Sequence, residues 1–225
     1  MLKELRLVWD LPVRVFHWLL VLTVIALYTT AKLGTDWTPW HMALGKFMIG
    51  MLIFRLIWGL IGPRHARFSN FIKGPGAMLR YLKGGIVSAG HNPLGAGMVV
   101  LMLLLLLVQV STGLFSTDDI VWQGPFYPSV SHELAEKLTA IHHLNFKFIE
   151  AAVALHLCAI VYYHFVKKEA LVPAMFHGGK PATYVAERDA IASSQLWKAL
   201  LVIAVAAGCV YLLLHAAPPP ASVEY

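Results

Sequence analysis

The chain has 225 residues, 58% of them hydrophobic and only 13% charged, with a mean hydropathy of +0.66. Soluble domains carry nearer a quarter charged residues, so this balance excludes an ordinary water-soluble globule and makes lipid the expected solvent. The net charge of +6 would suit a nucleic-acid binder only if the cations lined one face, and here they flank apolar runs.

A bilayer is crossed by about 20 apolar residues in helical form. The first such run, Val13–Thr30, follows Lys3, Arg6 and Arg14 as a signal peptide would. It is longer than a typical leader core and no clean small-x-small cleavage site follows, so it is expected to stay as the first span. Spans are expected near 13–33, 41–62, 95–115, 142–166 and 196–215. Between the second and third, Pro75–Lys83 sets Met78, Leu79, Tyr81 and Leu82 beside Arg80 and Lys83, the pattern of a short interfacial helix. The third span holds the unbroken run Leu103–Leu107, and the fourth carries several histidines with Glu150. Pro218, Pro219 and Pro220 stop the fifth for want of backbone donors. Cys158 and Cys209 lie inside apolar runs and read as small hydrophobes; with no CxxCH or CxxC, covalent haem attachment and a zinc pair are excluded.

Lysine and arginine are retained on the cytoplasmic side of spans. With five spans, one side receives Lys3, Arg6, Arg14, Arg64, Arg67, Lys73, Arg80, Lys83, Lys167, Lys168, Lys180, Arg188 and Lys198; the other receives Lys32 and Lys137. Thirteen against two sets the N-terminus inside and the C-terminus outside.

Ionisable groups inside a bilayer are costly and mark function. Of eleven histidines, His65, His91, His132, His177 and His215 fall in loops or at edges, where solvated side chains are expected. Depth sorts the rest. His17 begins the first span on the cytoplasmic side, and His41 begins the second on the other. His142 opens the fourth span, and His156 follows 14 residues later, about 21 Å further in at 1.5 Å per residue. His41 therefore matches His142 in depth, and His17 matches His156. At about 100° per residue, His142 and His156 are only about 40° apart on the helix. His143 is about 140° from His156 and His164 about 80°, so both are poorer partners. Two depth-matched imidazole pairs suit two planar iron porphyrins, each filled at both axial positions and so fit for electron transfer.

Other residues leave alternatives open. Gly45, one turn after His41, and Gly113 could admit a macrocycle or simply pack helices. Arg55, 14 residues after His41, could pair with a haem propionate or snorkel to the surface. Lys147 and Glu150 are spaced for an ion pair.

Several motifs resemble those of the bacterial di-haem cytochrome b superfamily, which includes cytochrome b561-like proteins and the b-type subunits of nickel-iron hydrogenases. They are Val8-Trp9-Asp10-Leu11-Pro12 with Phe16-His17-Trp18, Trp40-His41-Met42 with Gly45 and Arg55, and Gly90-His91-Asn92-Pro93-Leu94-Gly95. Thr112-Gly113-Leu114-Phe115 and His142 with His156 before Tyr162-Tyr163 complete the set. The resemblance runs from about residue 6 to 180, so residues 1–180 form the expected haem domain, and 181–225 a linker and fifth span. It implies an all-α membrane protein with a four-helix transmembrane haem-binding bundle; the fifth C-terminal transmembrane helix, expected from its apolar run, lies outside that core. It also implies axial pairs His17 with His156 and His41 with His142, and two non-covalent haems b in a bacterial inner membrane. Members pass electrons between quinones and redox proteins, often a periplasmic c-type cytochrome or a hydrogenase. Two alternatives stay open: a superoxide:quinone oxidoreductase needing no protein partner, and a metal-ion transporter using the intramembrane histidines. The acidic residues Asp36, Asp118, Asp119, Glu133, Glu136 and Glu224 on the outer side suit a basic periplasmic partner.

Overall fold

The computed structural model describes residues 4–84, 89–169 and 171–219, apart from the Leu82 side chain. Lys3, Pro220 and Glu224, used in the charge and helix-stop readings above, lie outside them. The described elements are β1 (Leu5–Leu7), α1 (Leu11–Lys32), α2 (Thr38–Ile61), the short α3 (Phe68–Phe71) and α4 (Pro75–Leu82). After these come α5 (Pro93–Gly113), α6 (His132–Phe165), α7 (Leu171–His177), β2 (Gly179–Pro181) and α8 (Leu196–His215). Five of the helices are long and apolar enough to cross a membrane, and the chain is an all-α membrane protein.

The helix starts are written into the sequence. Asp10 accepts from the Val13 backbone N–H at 2.9 Å, with Pro12 in the first turn of α1. Asn92 accepts from Gly95 N–H at 2.8 Å ahead of Pro93 and α5. Both place a side-chain acceptor on orphan donors and a proline where no donor is missed. Ser131 caps α6 in the same way, accepting from Leu134 N–H at 3.3 Å. That cap starts the helix carrying the fourth apolar run at His132, ten residues before 142. Its 34 residues span about 51 Å at 1.5 Å per residue, against about 30 Å of hydrocarbon. The polar first turns therefore stand outside lipid, which a search for apolar runs does not register.

The packing order around the bundle is α1 on α2, α2 on α5, and α5 on α6. The helix α6 packs closely on α5 and only loosely on α1 and α2. Between the two groups lies one apolar layer, in which Met48, Leu52, Leu103, Leu106 and Ile149 are buried. The helix α8 lies on the outside of α1 and α2, burying Ala199, Val202 and Ala206 against Val13, Phe16, Met51 and Phe54. Lipid tails are as apolar as leucine, so small residues that let helices approach closely do the work here.

At the end that carries the N-terminus, β1 pairs antiparallel with β2, Arg6 opposite Lys180. This strap was not legible as a strand pair, since neither three-residue segment has any alternation to show. Gly178, at φ +84°, turns the chain into it; a Cβ there would stand 2.6 Å from the Trp9 carbonyl oxygen. Its own carbonyl accepts from Val8 and Trp9 N–H, both at 2.9 Å. The segment beyond β2 is laced to the same end: Arg6 donates to the Val185 carbonyl at 2.8 Å, and Ile191 N–H to Leu7 at 2.9 Å. Cys158 and Cys209 are exposed, free thiols.

Candidate functional site

His41 on α2 and His142 on α6 face each other with ring centroids 6.4 Å apart and planes 76° apart. Each ring is held from behind by the helix next to its own. His41 Nδ1 lies 3.0 Å from the Leu27 carbonyl oxygen and 3.3 Å from Thr30 Oγ1, both on α1. His142 Nδ1 lies 3.0 Å from the Gln109 carbonyl oxygen and 3.2 Å from Thr112 Oγ1, both on α5. The threonine hydroxyls already donate to their own helices, Thr30 to Ala26 and Thr112 to Val108, each at 2.8 Å. Each Nδ1 thus meets two acceptors and carries the proton, which leaves each Nε2 with a free lone pair. Asn145 braces the α5 side, donating to the Leu105 carbonyl at 2.9 Å and to Gln109 Oε1 at 2.7 Å.

This gap is the size that an axial pair needs. A metal–imidazole bond of about 2 Å and about 1.1 Å from nitrogen to ring centre, taken twice, span about 6.2 Å. Among the described residues there is no group of three or more histidine, cysteine, aspartate or glutamate side chains that could hold a metal. Imidazoles offered in twos, with no further protein ligands, fit a metal whose remaining positions are filled by a macrocycle. Gly45 adds to this: a Cβ there would meet nothing within 4 Å, so space is open beside α2 one turn after His41. Gly113 does a different job. A Cβ on it would stand 3.0 Å from His142 Cε1, so the missing side chain lets that imidazole lie against α5.

The second pair is further along α6. His17 and His156 are partly buried electrostatic neighbours, and His17 Nδ1 is a buried atom with no hydrogen-bond partner. The His17 ring meets Trp18 edge-on at 5.1 Å, and Trp18 stacks on Phe176 of α7 at 4.5 Å. His143 and His164 are exposed. Lys147 and Glu150 do pair, at 3.2 Å.

Arg55 is buried with 3% of its surface exposed, so it does not snorkel. Its guanidinium donates to the Ala66 carbonyl at 3.2 Å and stands 4.7 Å from the centre of the Phe68 ring. Around it lies a polar cluster at the strapped end. Asp10, 1% exposed, accepts from Trp58 Nε1 at 3.0 Å. Two loop histidines expected to be solvated belong to this cluster instead. The His91 ring lies 4.6 Å from both Trp9 and Phe71, and His65 Nε2 lies 2.7 Å from the Asp189 carbonyl oxygen. Burial, with Arg55, Lys180 and His65 nearby, pushes the His91 imidazole down to about 3. Burial also lowers His65 and Lys180. The aromatic residues Trp9 and Phe71, far apart in sequence, carried no signal that they would enclose a loop histidine.

Thr30, Gln109 and Asn145 have no role in the sequence reading, and Thr112 enters it only as a motif letter. The available signal was their polarity inside apolar spans at helical spacing, Gln109 one turn before Thr112 and Asn145 one turn after His142.

Fold and site together define a multi-pass membrane protein with one facing histidine pair, His41 and His142, and two further neighbouring histidines, His17 and His156, between its helices. The chain belongs to the prokaryotic cytochrome b561 family, whose model matches residues 8–178; it is a membrane b-type cytochrome, of a family that binds haem b and transfers electrons. The match leaves out β1, β2 and α8. No curated protein and no solved structure matches the chain.

Proposed function

We propose that this chain holds two haems b, one between His41 and His142 and one between His17 and His156, and carries electrons across the bacterial inner membrane. The N-terminus and the strapped end are cytoplasmic and the C-terminus periplasmic, in keeping with the thirteen cations gathered at one end. Electrons pass between membrane quinone and a periplasmic redox protein such as a c-type cytochrome. The observation that carries this reading is the 6.4 Å separation of two imidazoles whose Nδ1 atoms are both engaged behind them.

A haem, when bound, supplies a one-electron couple with no open coordination position. The chain's own residues do the rest. The paired imidazoles would hold the group, and Met48, Leu52 and Ile149 form a buried apolar layer about two to three turns along the helices from His41 and His142. The second ring pair lies about 21 Å along α6 from the first, by helical rise. Purified protein is expected to give two haems per chain by pyridine haemochrome. His156→Ala should lose one haem and keep the other, and His41→Ala should do the converse. One haem or none in the native protein would refute the pairing.

A further inference from the structure

The two pairs are not equivalent. At one, both rings are clamped by a carbonyl and a threonine hydroxyl from a neighbouring helix, Leu27 with Thr30 and Gln109 with Thr112. At the other, no hydrogen bond to the His17 or His156 ring is found among the described residues, and His17 Nδ1 is buried and unpartnered. The two clamps are built alike: in each, the threonine lies three residues after the carbonyl on the same helix, and is 6–7% exposed. Resting on the haem ligation proposed above, we infer that Thr30 and Thr112 are positioning residues that make the His41–His142 iron the lower-potential one of the two.

The reason lies in the Nδ1 proton. A ligating imidazole that shares this proton with an acceptor becomes a more basic, more electron-donating ligand. Stronger donation stabilises the ferric over the ferrous state and lowers the potential. The hydroxyl oxygen is a second acceptor on each Nδ1–H, available because its own proton is spent on Ala26 or Val108. Fixed charges act in the same sense. Arg55 and Lys180 are at the His17 end and favour the ferrous state there, an effect that Asp10 beside Arg55 and Glu169 near Lys180 reduce, whereas Asp119 and Glu136 are on the loop and first turns of α6 at the other end, where Lys137 pairs with Glu133.

The test is a potentiometric titration of the haem-loaded full chain, followed by visible spectrum, for Thr30→Val, Thr112→Val and the double variant. Thr23→Val is the control, since among the described residues the hydrogen-bond partner found for the Thr23 hydroxyl is Met51 Sδ, at 3.7 Å. The lower of the two midpoints should rise in each variant while the upper stays. The double variant should change the ferric-to-ferrous ratio about tenfold at fixed poise, which is 59 mV for one electron. Thr→Ser at either position should restore the native value. If the upper midpoint moves instead, or neither does, or serine fails where valine fails, the inference is overturned. The ligation reading is judged separately, by haem counts in His41→Ala and His142→Ala: if both variants keep two haems, that reading fails first.

Discussion

Two glycines show how much depends on the absence of one carbon. A Cβ on Gly113 would lie 3.0 Å from His142 Cε1 and 3.3 Å from its Nδ1. Gly113→Val should push the ring off the Gln109 carbonyl and lose one haem of two. At Gly45 a Cβ meets nothing within 4 Å, so the protein leaves open space where a side chain there would begin. If the open space beside His41 is where the macrocycle lies, Gly45→Leu should lose the same haem with helicity unchanged. Haemochrome counts and far-ultraviolet circular dichroism read both outcomes; two retained haems in Gly45→Leu would take the macrocycle away from that face. At this scale the sequence singled out four histidines and was silent about what holds two of them. The four histidines stand out because lipid spans seldom carry ionisable groups. The clamps of His41 and His142 use backbone carbonyls of Leu27 and Gln109, and every residue type has a carbonyl.

The elements were legible in proportion to how much apolar length each one carries. The five spans follow from hydropathy alone, whereas β1 and β2 join residues over 170 positions apart with no pattern of their own. The strap they form is also where the loop histidines departed from expectation. His91 is enclosed by Trp9 and Phe71, near Arg55, Lys180 and His65, and titrates at about 3. The ordinary value is about 6.5, so an opened strap takes up a proton between the two values while the closed one does not. Strap stability is therefore fully present above about pH 6.5 and falls as pH drops toward 3. Amide exchange at Leu5–Leu7 and Gly179–Pro181 should speed up between pH 7 and pH 5, after correction for the intrinsic rate. His91→Gln should flatten that slope. A slope unchanged by the substitution would assign the effect to His65 or to another group.

Across the whole molecule, charge is separated along the helix axes: cations gather at the strapped end and outnumber its acids Glu4, Asp10, Glu169, Glu187 and Asp189, while acids outnumber cations on the opposite connections. The loop between α5 and α6 is shaped for display. Asp118 Oδ1 accepts from the N–H groups of Ile120, Val121 and Trp122 at 3.0, 2.9 and 2.8 Å. Held this way, Ile120 and Val121 stand 84% and 66% exposed, next to Asp119, which His132 links to Glu136 on α6, with Glu133 in the same first turn. A basic redox protein approaching this end would be steered by the acids and would find a small apolar contact close to His41 and His142. Transient redox encounters need little area and depend strongly on salt. Asp118 holds the loop's shape, so changing it would mix folding with recognition; Asp119→Asn, Glu133→Gln and Glu136→Gln are the informative substitutions. Reduction of a basic c-type cytochrome by the haem-loaded chain should slow about tenfold between 10 and 200 mM salt, as the Debye length falls from about 30 to about 7 Å. In the triple variant the rate at low salt should already be reduced and its salt dependence weak. A native rate indifferent to salt would mean that the acidic end does not steer a partner, and the two-haem reading would stand without it.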